Sequence, residues 1–104
     1  MKLEHYPTEK LKKEILEIIG KYLDLGKYRI FFFGSRVGKN KSDEHSDIDI
    51  GIEGLEEISY KTISDIKEDI DNLPVLYKIE VVDFKNISSD FREVALQHTE
   101  AIMV

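Results

Sequence analysis

The segment from Phe31 to Ile52, FFFGSRVGKNKSDEHSDIDIGI, constrains the fold more than any other part of this chain. An apolar run ends at Gly34, a polar loop follows, and a second apolar run begins with two aspartates, Asp47 and Asp49, that are separated by a single residue. This order predicts a strand, a tight turn and a second strand that carries carboxylates.

Strict alternation in the second run predicts a strand with one buried face. Ile48, Ile50 and Ile52 then point into the core, and Asp47 and Asp49 share the opposite face. Residues two apart in a strand are separated by about 6.6 Å, so the two carboxylates can lean toward a common cation. Like charges this close are costly unless a cation neutralises them. A purely oxygen ligand set favours Mg²⁺ or Mn²⁺ over zinc.

The turn after the first run has the residue types of a phosphate-binding site. Gly34 lets the backbone approach a phosphate closely, and a short helix beginning at Ser35 would direct N–H groups toward an anion. Ser35 adds a hydroxyl, and Arg36 adds a planar charge that suits phosphate. A phosphate site and an acidic metal site on adjacent strands predict phosphoryl or nucleotidyl transfer.

A third strand is predicted from Val75 to Phe84, and it contains two acids. Glu80 lies between apolar residues, as Asp49 does, so we expect its side chain on the polar face of the sheet. Asp83 is three residues after Glu80, so in a regular strand it points to the opposite face, and the two acids cannot both face a metal.

The rest of the chain predicts helices and two further strands around this centre. The first helix has an apolar face of Leu11, Ile15, Ile18, Ile19 and Tyr22, and the last has Phe91, Val94, Ala95 and His98 at helical spacing. Three helices are predicted: one capped by Thr8 that ends near Leu25-Gly26, one capped by Ser59 that runs through Asp71, and an amphipathic helix capped by Ser88 or Ser89. The two further strands are a central strand from Tyr28 to Phe33, buried on both faces, and a short edge strand from Ala101 to Val104.

The composition of the chain limits its possible cellular locations and binding partners. The chain has 104 residues, no cysteine and a net charge of −6, and no apolar run approaches the roughly 20 residues that a membrane span requires. These features predict one domain over residues 1–104, a cytoplasmic location and no membrane association. The negative charge makes direct nucleic-acid binding unlikely and favours a protein partner, because nucleic-acid affinity depends largely on neutralising phosphates.

The motifs Gly34-Ser35-Arg36 and Asp47-Ile48-Asp49 resemble the signature of the polymerase-beta-type nucleotidyltransferases, and the short chain resembles their minimal nucleotidyltransferase (MNT) branch. The resemblance implies an α/β fold with a small mixed sheet packed against helices on one side and the carboxylates on the open face. It implies that Asp47, Asp49 and a third carboxylate hold Mg²⁺ (or Mn²⁺) and catalyse transfer from ATP. Glu80 matches the third position, and Asp83 is the alternative.

The same resemblance implies a partner and a biological role. MNT proteins of this kind are antitoxins of HEPN ribonuclease toxins, and characterised members transfer AMP from ATP to a tyrosine of the partner. The predicted function is therefore a Mg²⁺-dependent protein adenylyltransferase that acts on a HEPN-type helical protein encoded nearby. The alternative is a non-catalytic antitoxin, a binding module that neutralises its partner by contact. Nucleotidylation of a small molecule would normally require an additional binding domain.

Overall fold

The computed structural model describes Leu3, residues 6–34, Val37 and residues 47–103. The four strands form one mixed sheet in the order β3-β2-β1-β4, in which β1 is antiparallel to both neighbours and β2 is parallel to β3. This arrangement confirms the predicted α/β class, a small mixed sheet packed against helices. The elements are, in chain order, α1 (Thr8–Ile19), β1 (Arg29–Phe33), β2 (Ile48–Glu53), α2 (Tyr60–Asp71), β3 (Ile79–Asp83), α3 (Ser89–Ala95) and β4 (Thr99–Met103).

The larger core lies between one face of the sheet and the helices α1 and α2. Ile48, Ile50 and Ile52 are fully buried there, as the alternation in β2 predicts. They pack in one cluster with Leu11 and Ile15 of α1 and with apolar residues of α2. Full burial of an aliphatic side chain contributes about 1.5–3 kcal/mol, so we expect this face to be the main source of stability.

The opposite face of the sheet carries a smaller aromatic cluster. Phe31 and Phe33 of β1 each contact Phe84 edge-on, with ring centroids 4.9 Å apart in both pairs. Ala95 of α3 is buried in the same cluster. The expectation that helices pack on one side only is therefore incomplete, because α3 covers part of the face on which the carboxylates lie.

The first helix differs from its predicted bounds at both ends. Thr8 is the first helical residue and not the cap, because the extended Pro7 occupies the N-cap position and its carbonyl accepts the N–H of Leu11. The helix ends at Ile19, with Gly20 as its C-cap, well before the predicted end near Leu25-Gly26. Tyr22 lies beyond the helix and is exposed.

Two later elements are shorter than predicted. β3 begins at Ile79 and not at Val75, because Pro74 has no N–H to donate and the N–H of Val75 donates to the carbonyl of Leu73 in a tight turn. α3 ends at Ala95, so His98 lies outside the helix. β4 is the predicted edge strand, but it begins earlier, at Thr99.

Three further predictions of local structure are confirmed, whereas the predicted short helix beginning at Ser35 lies outside the described residues. β1 is buried on both faces and lies between β2 and β4. The Ser59 hydroxyl accepts the N–H of Thr62 at the start of α2, and the Ser88 hydroxyl accepts the N–H of Phe91 at the start of α3. In the described part of the chain, no helix combines the length and the apolar character needed to cross a membrane.

Candidate functional site

The candidate site is built around the contact between Gly34 and Asp49. Gly34 follows the last residue of β1, and Phe33 pairs with Asp49 across the antiparallel strands. Gly34 has a φ of +91°, and a Cβ atom at this position would lie 2.6 Å from the Oδ2 atom of Asp49. Glycine is therefore required for two independent reasons, the left-handed backbone and the close approach of the carboxylate.

The structure describes only part of the turn that is predicted to bind phosphate. The N–H of Val37 donates to the carbonyl of Gly34 at 3.1 Å, so the chain turns directly after β1, as the sequence predicts. Ser35 and Arg36, the two other predicted nucleotide-binding residues, lie outside the described residues. Their roles stay predictions.

The structure brings Asp49 and Glu80 side by side. β2 and β3 are parallel, and their register aligns the two residues directly. Asp47 precedes β2 and is exposed, whereas Asp49 is half-buried. Burial raises the pKa of Asp49 to about 6, and repulsion from Asp47 and Glu80 adds to the shift. The three predicted carboxylates therefore act on one another electrostatically at one end of the sheet.

Asp83, the alternative third carboxylate, makes a different set of contacts. Its Oδ2 atom accepts the N–H of Ile58 at 2.8 Å, and its Oδ1 atom accepts the N–H of Lys85 at 3.0 Å. Asp83 pairs in register with Ile52, whose side chain faces the main core, whereas Glu80 pairs with Asp49. This geometry favours Glu80 for the third position, because both oxygens of Asp83 already hold the backbone of two loops.

Lys78 is a residue of this site that the sequence reasoning missed. Its Nζ atom lies 3.2 Å from Oε1 of Glu80. The hydrogen bond to Glu80 and the charges of Glu80 and Asp47 raise the pKa of Lys78. The signal was present in the sequence, because a residue two positions before Glu80 in an extended chain lies on the same side.

The acids fit a hard divalent cation that is held only partly by the protein. Asp47 and Asp49 supply carboxylate oxygens. A cation would offset the burial of the Asp49 carboxylate and its repulsion from Asp47 and Glu80, the two causes that raise its pKa. Among the described residues, no three His, Cys, Asp or Glu side chains lie close enough together to hold an ion by themselves. Mg²⁺ commonly takes one or two carboxylates and completes its shell with water and substrate phosphates. The donor set therefore suits an ion that binds together with a nucleotide.

A cavity of about 430 Å³ opens beside Asp49. Gly34 and Asp49 form one wall, and the other is formed largely by Phe91 and Val94 of α3, which are 46 % and 66 % exposed. His98 also lines the cavity. The sequence predicted an apolar helix face at these positions but not its exposure, because helical spacing does not reveal which face of a short helix meets the core.

Three comparisons with known proteins agree with this geometry. Residues 13–104 match the family described as "Polymerase beta, Nucleotidyltransferase". The chain is 30 % identical over 86 residues to the probable protein adenylyltransferase MntA of Haemophilus influenzae, a match that covers 81 % of this chain and 75 % of that protein.

Solved structures of toxin–antitoxin complexes share the fold. The chain is similar to one in a complex of a tri-AMPylated Shewanella oneidensis HEPN toxin with an MNT antitoxin, with a TM-score of 0.68 and 14 % identity over 91 % of this chain and 71 % of that one. A toxin–antitoxin structure with AMP-PNP gives a TM-score of 0.69 and 15 % identity, over 88 % of this chain and 72 % of that one. The family match, the relative and the fold lead to one conclusion: the chain belongs to the polymerase beta nucleotidyltransferase family.

Proposed function

We propose that this chain transfers AMP from ATP to a hydroxyl of a partner protein, with Mg²⁺ (or Mn²⁺) as the required ion. The observation that carries the proposal is the position of Asp49, which is half-buried against Gly34 and aligned with Glu80. Burial raises its pKa, and repulsion from its acidic neighbours adds to the shift. A divalent cation, bound together with the phosphates of a nucleotide, would relieve this concentration of negative charge. The proposal keeps the predicted single domain over residues 1–104 and the predicted cytoplasmic location.

Each residue of the site has a role in the proposed reaction. The turn Gly34-Ser35-Arg36 holds the phosphates of ATP, and Asp47 and Asp49 hold the divalent ion. When bound, the ion neutralises phosphate charge and polarises the reacting phosphoryl group. Glu80 accepts the proton of the acceptor hydroxyl.

The proposed reaction is a displacement at the α-phosphorus of ATP. The acceptor oxygen forms a bond to the α-phosphorus of ATP, the bond from that phosphorus to the bridging oxygen breaks, and pyrophosphate leaves. The acceptor keeps AMP, and the hydroxyl proton passes to Glu80. The Nζ atom of Lys78 lies 3.2 Å from Oε1 of Glu80, so an ion pair holds this carboxylate in place.

The cavity beside Asp49 supports a protein acceptor with an aromatic hydroxyl. Phe91 and Val94 offer exposed apolar surface next to the carboxylate, and such a surface fits the ring of a tyrosine better than a sugar or a short aliphatic side chain. MntA of Haemophilus influenzae is described as a probable protein adenylyltransferase, and one structural neighbour contains an AMPylated HEPN toxin with its MNT antitoxin. We therefore propose a HEPN-type helical partner encoded nearby and an antitoxin role.

A non-catalytic antitoxin is the second candidate. Two observations favour it: the acids of the described residues do not form a ligand set of three, and Glu80 is paired with Lys78. In this alternative the same apolar wall of α3 contacts the partner, and the acids take no part. The two candidates differ in whether the partner changes in mass.

Intact-mass measurement of the co-expressed partner, after incubation with this chain, ATP and Mg²⁺, tests the proposal. We expect the partner to gain the mass of one or more AMP units with the wild type and none with Asp47→Asn/Asp49→Asn. The matched control, Asp65→Asn/Asp71→Asn, removes the same charge from α2 and is expected to retain transfer. An unchanged partner that still forms a stable complex with both proteins would contradict the proposal and favour the contact mechanism.

A further inference from the structure

A second and larger cavity lies at the other end of the carboxylate face. It has a volume of about 810 Å³, and Glu53, the last residue of β2, is one of the residues that line it. Because Asp49 and Glu53 are four residues apart in one strand, their side chains lie on the same face and about 13 Å from one another. The candidate active site does not use this cavity, which we call the cationic groove.

Most of the charged residues that line the cationic groove are positive. The described residues that line it include one carboxylate, that of Glu53, and four cationic side chains: Lys27, Arg29, Lys85 and Arg92. This local excess of positive charge occurs in a chain whose net charge is −6. A cleft lined by one sign of charge concentrates ligands of the opposite sign.

The two arginines of the groove are held in place. Nε of Arg92 donates to Glu53 at 3.0 Å, and Nη1 of Arg29 lies 3.7 Å from the same carboxylate. The guanidinium of Arg29 also lies 5.2 Å from the ring centre of Phe31. Two guanidinium groups thus share one carboxylate. Each guanidinium has five N–H donors, more than its contact with Glu53 uses. Fixed forks of this kind bind a further carboxylate or phosphate at a low cost in side-chain entropy.

The groove also has apolar surface, which narrows the class of ligand. Tyr28 and Ile87 line it, and Leu55 is 91 % exposed at its edge. Glu56 borders a smaller hollow that continues from this edge. Mixed apolar and cationic walls suit a peptide segment that contains both acidic and apolar side chains. A nucleic acid would instead favour a longer basic surface without a carboxylate at its centre.

Helix α3 connects the groove to the candidate active site. Ser89 and Arg92 line the groove, whereas Phe91 and Val94 line the cavity beside Asp49. A protein that lies along the exposed side of this short helix can therefore contact both cavities. The groove is placed to hold an acceptor protein while a side chain of that protein reaches Asp49.

We infer that the cationic groove is a docking site for an acidic, partly apolar segment of the acceptor protein, and this inference rests on the proposed function. The segment binds Lys27, Lys85 and the two arginines through its carboxylates and Leu55 through its apolar side chains. Docking at a distance from the reacting atoms raises the local concentration of the acceptor hydroxyl at the active site.

Fluorescence anisotropy with a synthetic probe tests the docking site without requiring transfer. The probe is a fluorescein-labelled peptide of alternating glutamate and leucine, compared with a twin that has glutamine for glutamate and with a labelled single-stranded RNA of equal length. The groove variant is Lys27→Glu/Lys85→Glu, which leaves the contacts of Glu53 intact. The matched control, Lys13→Glu/Lys67→Glu, makes the same charge change at exposed positions of α1 and α2.

We expect the acidic peptide to bind the wild type and the control equally, and the groove variant about tenfold more weakly, with affinity that falls as salt is added. Equal binding to the two variants, equal binding of the glutamine twin, preference for the RNA or no binding of the acidic peptide would each overturn the inference. Because AMP transfer is measured separately by mass, loss of docking and loss of the proposed activity are distinguishable.

Discussion

On one face of the sheet, Ile48, Ile50 and Ile52 are sealed beneath α1 and α2, whereas on the other face Asp49 shares its surface with Phe31 and Phe33. The first face is aliphatic and closed. The second has a small aromatic core, half-buried acids and apolar residues left exposed on α3. The difference separates a closed core from the face that carries the candidate site, on opposite sides of the same two strands. The alternation of β2 makes this possible, because successive side chains belong to different faces.

The largest effect is expected from a change on the closed face. Ile50→Ala removes most of a fully buried side chain and leaves a cavity in the core, so we expect the free energy of unfolding to fall by about 2–5 kcal/mol. Urea unfolding measures this change. The folded fraction should keep its AMP transfer to the partner. A loss of less than about 1 kcal/mol would show that the closed face is not the main source of stability.

Gly51→Ala tests how tightly the aromatic side of the sheet is packed. A Cβ atom at Gly51 would lie 2.5 Å from the ring of Phe31 and 2.7 Å from that of Phe84, so we expect a loss of about 1–3 kcal/mol in urea unfolding. Gly26→Ala is the matched control, because its Cβ would first meet the Asp24 carboxylate, at 3.3 Å. Equal stability of the two variants would mean that the rings move apart without cost.

Phe91→Ala separates function from stability on the open face. The ring is 46 % exposed and lies at the edge of the aromatic cluster, 6.2 Å from Phe33 between ring centres. We expect the KM for the partner protein to rise about fivefold while the KM for ATP stays unchanged, with only a small loss of stability. Tyr60→Ala, which removes another exposed ring, should leave both values unchanged. A rise in the KM for ATP alone would assign the apolar wall to the nucleotide.

The smallest expected effect is the contribution of Asp49 to the pH dependence of stability. Its pKa is raised from 3.8 to about 6, so the folded protein holds this proton more tightly than the unfolded chain does. Ionisation of Asp49 therefore lowers the stability of the fold as the pH rises from about 4 to above 6, in the absence of metal. Asp49→Asn removes this penalty.

Urea unfolding in EDTA, at about pH 4.5 and about pH 7.5, measures the advantage of Asp49→Asn over the wild type at each pH. The advantage should grow by about 1 kcal/mol between the two values, a modest figure because solvent reaches the half-buried carboxylate. Asp71→Asn, at an exposed position of α2, is the control. An advantage that shrinks as the pH rises would contradict the assignment.

The parts of this picture that follow from local pattern were predictable from the sequence. The alternation around Ile50 predicted which face of β2 is buried. The odd spacing between Glu80 and Asp83 predicted that their side chains lie on opposite faces of β3. The caps at Ser59 and Ser88 were predicted for the same reason, since a capping hydroxyl acts on residues only three positions away.

The parts that depend on distant residues were not predictable in this way. Arg29, Glu53 and Arg92 belong to three separate elements, and no local spacing brings them together. The exposure of Phe91 depends on how α3 is placed on the sheet, which helical periodicity does not determine. The shorter β3 and the early end of α1 reflect local turns at Pro74 and Gly20 that compete with longer apolar patterns.

The order of the strands has a consequence for how the chain assembles. Within β1, Phe33 pairs with Asp49 on one side and with Thr99 on the other, so its two neighbours come from very different distances along the chain. The first pairing can form as soon as β2 has been synthesised, but the second must wait for β4. Until then β1 has an open, apolar edge, which is the kind of surface that promotes association between incomplete chains. Docking of β4 is therefore the long-range step that we expect to limit the rate of folding.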